Sequence, residues 1–260
     1  CGARAATLNV SVGTLTNTAG GTIRSAGTSG ATNTLNAQVT NQGTIEVNQP
    51  LAVTNASRTF TSSAGTLNVA SAQTLTINDG TTTLGAGTAF SGSGKVKLAG
   101  TSHTLNLASD LTLATSTGVA LDLNGTSAAT VTSGTAGTKL IVPVGGELVL
   151  SNDTISSQVD LANSGTVIGS SGSSTINGGV TNASGATLRV ADQTVANPGG
   201  IALTIANGFT NSGTIELVTN AGNCCGPSSA TLNVTTGTLT NATGATIRST
   251  GLSATTNTLN

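Results

Sequence analysis

The sequence predicts an all-β fold, a parallel β-helix built as a solenoid of stacked coils of about 20–30 residues. Three observations lead there: a long internal repeat, a short strand–corner–strand phrase that keeps returning, and a scarcity of large side chains. The 260 residues include no Trp, Tyr or Met, three Phe and one His, and only 7% are charged. A compact globule of this size needs aromatic bulk at its centre, whereas each layer of a thin solenoid encloses a few aliphatic side chains.

The long repeat relates the two ends of the chain. Residues 1–36 return at residues 225–260 with a constant offset of 224, and 24 of the 36 aligned pairs are identical. We therefore expect residues 1–224 to be one tandem repeat unit and residues 225–260 to start the next copy. Tandem arrays build length, which is a structural or adhesive property more often than a catalytic one.

The short phrase reads apolar-x-Asn-x-Gly-Thr-apolar, as at residues 39–45, 161–167 and 209–215. Apolar residues two apart face one side of a strand, and Asn with Gly between two such runs supplies a tight corner. Ile23, Ile45 and Leu67 are spaced by 22 residues, which indicates coils stacked on one another. At about 4.8 Å per coil, roughly ten coils per unit predict a rod about 50 Å long.

Further strands are expected from period-two apolar runs, and turns from Asp-Gly and Asn-Gly pairs. No segment has the periodicity and caps of a helix. Residues 81–145 carry the weakest copies of the phrase, so the register of the coils is open there. The expected strands are Leu75-Thr76-Ile77, Leu105-Asn106-Leu107, Leu111-Thr112-Leu113, Leu121-Asp122-Leu123 and Leu148-Val149-Leu150, and the expected turns are at Asp79-Gly80, Asn124-Gly125, Asn177-Gly178 and Asn207-Gly208.

Six asparagines occupy the same position in copies of the phrase: Asn17, Asn41, Asn163, Asn182, Asn211 and Asn241. One interpretation is that they stack into internal ladders in which each amide bonds to the next. The other is that each side chain serves only its own corner. The sequence leaves both open.

The three cysteines, Cys1, Cys224 and Cys225, are disulfide candidates. Cys225 is the repeat copy of Cys1, which places a Cys-Cys pair at the unit boundary. A vicinal disulfide, bridges to neighbouring coils or chains, and free thiols all fit, and an exported protein favours disulfides. A lipid-modified Cys1 is disfavoured because Cys225-Gly226 repeats it inside the chain.

Charge and composition exclude several classes of function. The net charge is −1 with no basic run, so no nucleic acid partner is expected, and no apolar stretch is long enough for membrane insertion. The nine acids are scattered and no aromatic platform exists for a sugar, so we expect no enzyme, metal or cofactor. His103 has no recognisable catalytic partner in sequence, and we expect it to be an exposed strand or turn residue.

Threonine pairs raise one more alternative, an ice-binding β-solenoid. Thr14-Leu15-Thr16, Thr74-Leu75-Thr76, Thr81-Thr82-Thr83 and Thr238-Leu239-Thr240 each place two Thr on one strand face. A regular array of Thr can order water, but Thr also simply suits an exposed strand. Variable coil lengths and interrupted rows favour the second interpretation.

The repeated phrases Thr-Asn-x-Gly-Thr-Ile and Thr-Asn-Ala-Thr-Gly-Ala-Thr-Ile-Arg resemble those of filamentous-haemagglutinin-like exoproteins and autotransporter passenger domains. The resemblance implies a right-handed parallel β-helix at the bacterial cell surface. It also implies a secreted, extracellular adhesin that gives a fibre length, stiffness and attachment to a host, cell or surface. The long unit and the Cys-Cys pair depart from that family and favour, as an alternative, a filament subunit cross-linked through cysteines. Expected partners are neighbouring repeats or copies of the chain itself.

Overall fold

A computed structural model describes residues 4–27, 30–54, 57–113, 120–123, 128–191, 200–219, 228–251 and 256–260. All regular secondary structure in these residues is β-strand, and the strands pair in parallel with strands of neighbouring coils. The predicted all-β parallel solenoid is therefore confirmed.

The described residues form 28 strands. In the first half of the chain they are β1 (Thr7–Asn17), β2 (Thr22–Ser25), β3 (Asn33–Asn41), β4 (Thr44–Val47), β5 (Leu51–Thr54), β6 (Thr59–Ser62), β7 (Thr66–Val69), β8 (Thr74–Leu84), β9 (Ala89–Gly92), β10 (Lys95–Leu107), β11 (Leu111–Thr112), β12 (Ala120–Asp122) and β13 (Ala129–Ser133). In the second half they are β14 (Thr138–Val142), β15 (Glu147–Ser151), β16 (Thr154–Ile155), β17 (Val159–Asn163), β18 (Thr166–Ser171), β19 (Ser173–Ile176), β20 (Val180–Asn182), β21 (Thr187–Ala191), β22 (Ile201–Ile205), β23 (Phe209–Asn211), β24 (Thr214–Thr219), β25 (Ala230–Val234), β26 (Leu239–Asn241), β27 (Thr246–Gly251) and β28 (Thr258–Leu259).

Each coil has three sides. The long strands β1, β3, β8 and β10 turn a corner in their middle, so their first parts lie on side one and their second parts on side two. Side one continues with β5, β12, β15, β18, β21, β24 and β27, and side two with β6, β13, β16, β19, β22, β25 and β28. Side three holds a ladder of four strands, β2-β4-β7-β9, and a ladder of six, β11-β14-β17-β20-β23-β26.

The core is a column of aliphatic side chains along the axis, with one inward residue stacked on the next. On side three, Ile23, Ile45 and Leu67 are directly paired in register and are followed by Phe90, so the 22-residue spacing was a correct guide to stacking. Ile45 and Leu67 have no exposed surface. Burying a Leu or Ile side chain contributes about 1.5–3 kcal/mol, and neighbouring coils share this gain.

The corner between sides one and two depends on unusual backbone angles within continuous strands. In β8 it is made by Asp79 (φ 58) and Gly80 (φ 74), and in β10 by Gly100 (φ 114). A Cβ on Gly100 would come within 2.7 Å of the backbone N of Asp79, and residues with a side chain rarely adopt its φ. Only glycine therefore lets these two coils stack closely at this corner.

The two copies of the 36-residue segment lie on different sides of the solenoid. Thr7 lies on side one, where β1 begins, but its copy Thr231 lies in β25, which stacks on side two. Likewise β2 lies on side three and its copy β27 on side one. From Thr7 to Thr231 the chain completes nine coils and one further side. The predicted figure of about ten coils is close, but the unit does not contain a whole number of coils.

Candidate functional site

The polar side chains that recur from coil to coil form rows along the axis, and two of these rows consist mainly of asparagines. Asn17 Nδ2 donates to Asn41 Oδ1 at 2.8 Å, and Asn41 Nδ2 donates to Ser62 Oγ at 3.3 Å. This first row lies at the end of side two. Asn41 and Ser62 have no exposed surface, so their hydrogen bonds replace water that the interior excludes.

A second asparagine row lies at a different corner, at the end of side three. Asn163, Asn182 and Asn211 each donate one amide hydrogen bond to the next member, with N–O distances of 2.8, 2.6 and 2.7 Å, and Asn241 accepts the last. The six asparagines that share one sequence position are therefore divided between two corners. The repeat copies Asn17 and Asn241 fall in different rows because the unit adds one extra side.

The same amides also serve their own corners. Asn163 Oδ1 accepts from Gly165 N at 3.1 Å, and Asn211 Oδ1 accepts from Gly213 N at 3.3 Å. The second amide hydrogen of Asn163 reaches Thr187 O at 2.9 Å in the next coil. Stacking and corner formation are thus two uses of one side chain, and neither interpretation excludes the other.

Side two carries two outward rows dominated by threonine, which we call the threonine face. Both rows flank the inward positions Phe60, Thr82, Leu105 and Val131, all without exposed surface. Cα pairing places their members in register from coil to coil. The first row contains Thr59, Thr81, Thr104, Thr130, Thr154, Thr175 and Thr204, and the second contains Thr16, Thr40, Thr61, Thr83, Asn106 and Thr132.

The expectation of interrupted threonine rows was wrong for the first row between β6 and β22 and right for the second row, which Asn106 interrupts. The first row holds Thr in seven successive coils, from β6 to β22. Of the four sequence pairs, Thr14/Thr16 and Thr81/Thr83 lie on side two, Thr74/Thr76 on side one, and Thr238/Thr240 next to or in β26 on side three. Sequence reasoning missed the rows because successive members are separated by 21–29 residues, and only the pairing of the coils places them next to one another.

Charged side chains form a row on side one near the end of the chain. Glu216 is 9% exposed and lies between Arg189 and Arg248 in the register. Arg189 Nε is 3.5 Å from Glu216 Oε2, and Arg248 donates to the other carboxylate oxygen.

Another ion pair lies on side three, where Arg24 Nε donates to Glu46 Oε2 at 2.7 Å. Hydrogen bonds from Asn48 and then Arg24 lower the pKa of Glu46.

His103 is buried, and the expectation that it is exposed was wrong. It is 3% exposed at the corner between sides one and two, and its Nε2 lies 2.9 Å from Thr82 Oγ1. Burial lowers the pKa of His103, while the Ala99 backbone and the charge of Asp79 act in the opposite direction. His103 is therefore a buried polar residue whose side-chain partner is the hydroxyl of Thr82.

The remaining predicted sites give little chemistry. Cys1, Cys224 and Cys225 lie outside the described residues, as does the turn at Asn124-Gly125. In the part of the chain that the structure describes, no three His, Cys, Asp or Glu side chains are grouped so that they hold a metal ion. Among the same residues, no helix has the length and apolar character needed to cross a membrane.

Comparison with known proteins adds no relative. No family model, no curated protein and no solved structure matches this chain. The resemblance to haemagglutinin-like exoproteins therefore stays a prediction from the sequence phrases, and the rows of like side chains on a three-sided solenoid are the features from which a function is inferred.

Proposed function

We propose that this chain is a structural and adhesive repeat segment of a large extracellular bacterial surface fibre. It gives the fibre length and stiffness and carries regions that attach to a cell or surface. The observation that supports this most is the continuity of the solenoid through the repeat boundary. β25, which is the copy of the start of β1, stacks on β22 with five registered residue pairs, so one unit runs into the next without a break in the sheets.

Stiffness follows from the way the coils are joined. Backbone ladders join the coils continuously on sides one and two and in two separate ladders on side three, and the asparagine rows add side-chain bonds along the same axis. Extending the rod requires several of these parallel bonds to break together. The sheet edges are covered along the rod because every interior coil has a neighbour above and below.

Electron microscopy of the native full-length protein, with and without reductant, tests this proposal. We expect unbranched rods with an axial rise of about 45 Å per 224-residue unit, from nine and one-third coils at about 4.8 Å. Reductant leaves a simple stalk unchanged and separates a filament that is cross-linked through cysteines. Compact particles without an axial repeat would contradict the fibre.

Attachment has a test of its own. Beads coated with the purified chain should be retained on the cells or surfaces that the native fibre contacts, and heat-unfolded chain on the same beads is the control. Equal retention of folded and unfolded chain would show that attachment does not depend on the solenoid surface. Immunogold labelling of intact cells checks the extracellular location, since a fibre inside the cell stays unlabelled.

A further inference from the structure

The threonine face differs from the other two sides in its charge. Its outward positions, from Thr14 in β1 to Asn233 in β25, hold Thr, Ser, Asn, Gln and Ala and no charged residue. Most strand charges of the described residues lie on the other two sides, while Asp79 lies at the corner between sides one and two and Arg58 directly precedes β6 on side two. Side one carries Lys95, Lys97, Glu147, Arg189, Glu216 and Arg248. Side three carries Arg24, Glu46, Lys139 and Asp160. The two threonine rows therefore lie on the side of the coil whose outward strand positions carry no charge.

The threonines on this face form a two-dimensional lattice. Successive coils repeat at about 4.8 Å along the axis, and outward residues two apart on a strand are about 6.6 Å apart. Threonine is branched at Cβ and has a restricted χ1, so each residue presents its methyl and hydroxyl groups in a narrow range of positions. At its ends the lattice is extended by amides: Gln38 Nε2 donates to Thr14 Oγ1 at 3.0 Å and Asn233 Nδ2 to Thr204 Oγ1 at 3.3 Å.

The lattice persists although the coils differ in length. Thr59 and Thr81 are 22 residues apart, whereas Thr175 and Thr204 are 29 apart, and both pairs are in register. Extra residues are therefore placed at other parts of the coil. If the face were selected only for β-propensity and solubility, charged residues would be tolerated there. They are absent from the two rows, and Thr is kept although the coil length changes.

We propose that the threonine face binds the surface of ice, with an ordered layer of water as its ligand. The two spacings of the lattice lie close to those between water oxygens on a prism face of hexagonal ice. Threonine hydroxyls take part in the water lattice, and the methyl groups between them are covered without loss of hydrogen bonds. A charged side chain would hold a hydration shell that does not fit the lattice, which explains the sorting of charge.

A crystalline polysaccharide is the other repeating surface with comparable spacings, and the side chains favour ice. Sugar rings are bound largely by aromatic platforms, and the chain contains no Trp or Tyr. This inference does not depend on the proposed fibre, because the lattice is complete within one unit. A rod with an ice-binding face and a rod without one would look alike in the electron microscope.

The first test is growth of single ice crystals in a solution of the purified 260-residue chain, observed by nanolitre osmometry. We expect faceted crystals and a measurable gap between melting and growth temperatures. Round crystals and no gap at any soluble concentration would overturn the proposal. Sedimentation with microcrystalline cellulose and chitin is run in parallel, and binding to these without binding to ice would also overturn it.

The variants use two positions on one strand, β8, as matched partners. Thr83→Lys places a charge in the middle of the threonine face, and Thr76→Lys places the same charge on side one; both threonines are half-buried and point outward. Thr83→Lys should lower the affinity for ice by about tenfold or more, equivalent to about 1.4 kcal/mol, whereas Thr76→Lys should leave it unchanged. Equal effects of the two variants would contradict binding through this face.

A milder change guards against loss of folding. Thr83→Ser with Thr61→Ser keeps both hydroxyls and removes two methyl groups from neighbouring coils. We expect an unchanged circular dichroism spectrum and a smaller growth gap. A gap equal to that of the natural chain in this folded variant would show that the ordered methyl groups are not used, and would overturn the lattice match.

Discussion

At the scale of single residues, the buried asparagines carry the polar specificity of the interior. Asn182 is 1% exposed and is bonded on both sides, to Asn163 at 2.8 Å and to Asn211 at 2.6 Å. Its amide also donates to Thr214 O at 3.2 Å. Removing Asn182 takes one hydrogen-bond partner from each neighbour, Asn163 and Asn211, in a place that water does not reach.

Asn182→Ala should therefore lower the free energy of unfolding by about 1–3 kcal/mol, the cost of buried polar groups left without partners. Asn207→Ala is the matched control, because Asn207 is exposed and its amide donates to Asn177 O at 2.9 Å near the surface. We expect the control to change stability by only about 0.5 kcal/mol. Urea titration followed by far-ultraviolet circular dichroism measures both, since no Trp is present as a fluorescent probe. Equal losses would show that the buried row is not held by its amide bonds.

His103 makes the stability of one corner depend on pH. Its pKa is lowered in the folded chain by burial, so the unfolded chain takes up a proton first as the pH falls. The stability that comes from neutral His103 is complete above the ordinary pKa of histidine, near 6.5, and is lost as the pH falls toward the lower folded value. Asp79 at the same corner is the charged group that acts on His103. Two coils away in the register are Asp153, which accepts from Ala129 N at 2.8 Å, and Arg58, which directly precedes β6.

Thermal unfolding between pH 7.5 and 5.5 tests this dependence. The natural chain should lose up to about 1.4 kcal/mol per pH unit within the range where only the unfolded chain is protonated. His103→Asn, which keeps a polar group beside Thr82, should have a flatter profile. A profile as steep as that of the natural chain would assign the pH dependence to the carboxylates instead.

At the scale of the strand and its neighbours, Glu216 joins β21, β24 and β27 through charge. Its carboxylate lies between two arginines and is largely buried, whereas Glu46 on side three pairs with one exposed arginine, Arg24, and also accepts from Asn48. Partly buried pairs are screened less by salt than exposed ones. The two glutamates therefore form a natural comparison of the same pairing in two environments.

Glu216→Gln should destabilise the chain by about 1–3 kcal/mol, because two arginines then face each other across one coil without an anion. Glu46→Gln should cost less than about 1 kcal/mol. The gap between the two variants should persist in 0.5 M salt if burial, and not long-range charge, sets it. Urea titrations at low and high salt measure this, and a gap that closes with salt would contradict the explanation.

The short phrase predicted where strands and corners occur, but it did not predict on which side of the coil each strand lies. It correctly placed corners after Asn41, Asn163 and Asn211, each at the end of a strand. It did not show that the corner after Asn41 joins sides two and three while the other two join sides three and one. The phrase describes only a strand, a corner and a strand, and all three corners of the coil satisfy that description.

The weak region of residues 81–145 was beyond the phrase for a physical reason. The corner inside β10 is made by positive φ at Gly100, and no Asn-x-Gly marks it. The coil just before this region turns at Asp79 and Gly80, which the sequence did mark as a turn. The expected strand around Leu105 is present within β10, and those around Leu75 and Leu148, on either side of this region, are present within β8 and β15. Their assignment to sides required the pairing of coils that are distant in sequence.

At the scale of the whole molecule, the sequence periodicity predicted about ten coils per unit, whereas the unit contains nine coils and one further side. Variable coil lengths, from 19 residues between Asn163 and Asn182 to 30 between Asn211 and Asn241, hide a count that only the pairing of strands reveals. The threonine face was missed for the same cause. Its members are ordinary, widely spaced threonines until the coils are stacked.

The extra side has a consequence for any rod made of these units. Each unit starts one side further round than the last, as Thr238 and Thr240 on side three already show by repeating Thr14 and Thr16 of side two. A residue at a given position of the unit therefore lies on a different side of the solenoid in each of three successive units, and on its first side again in the fourth. Whichever side of such a rod contacts a flat surface or a neighbouring rod, every third unit presents the same face to that contact.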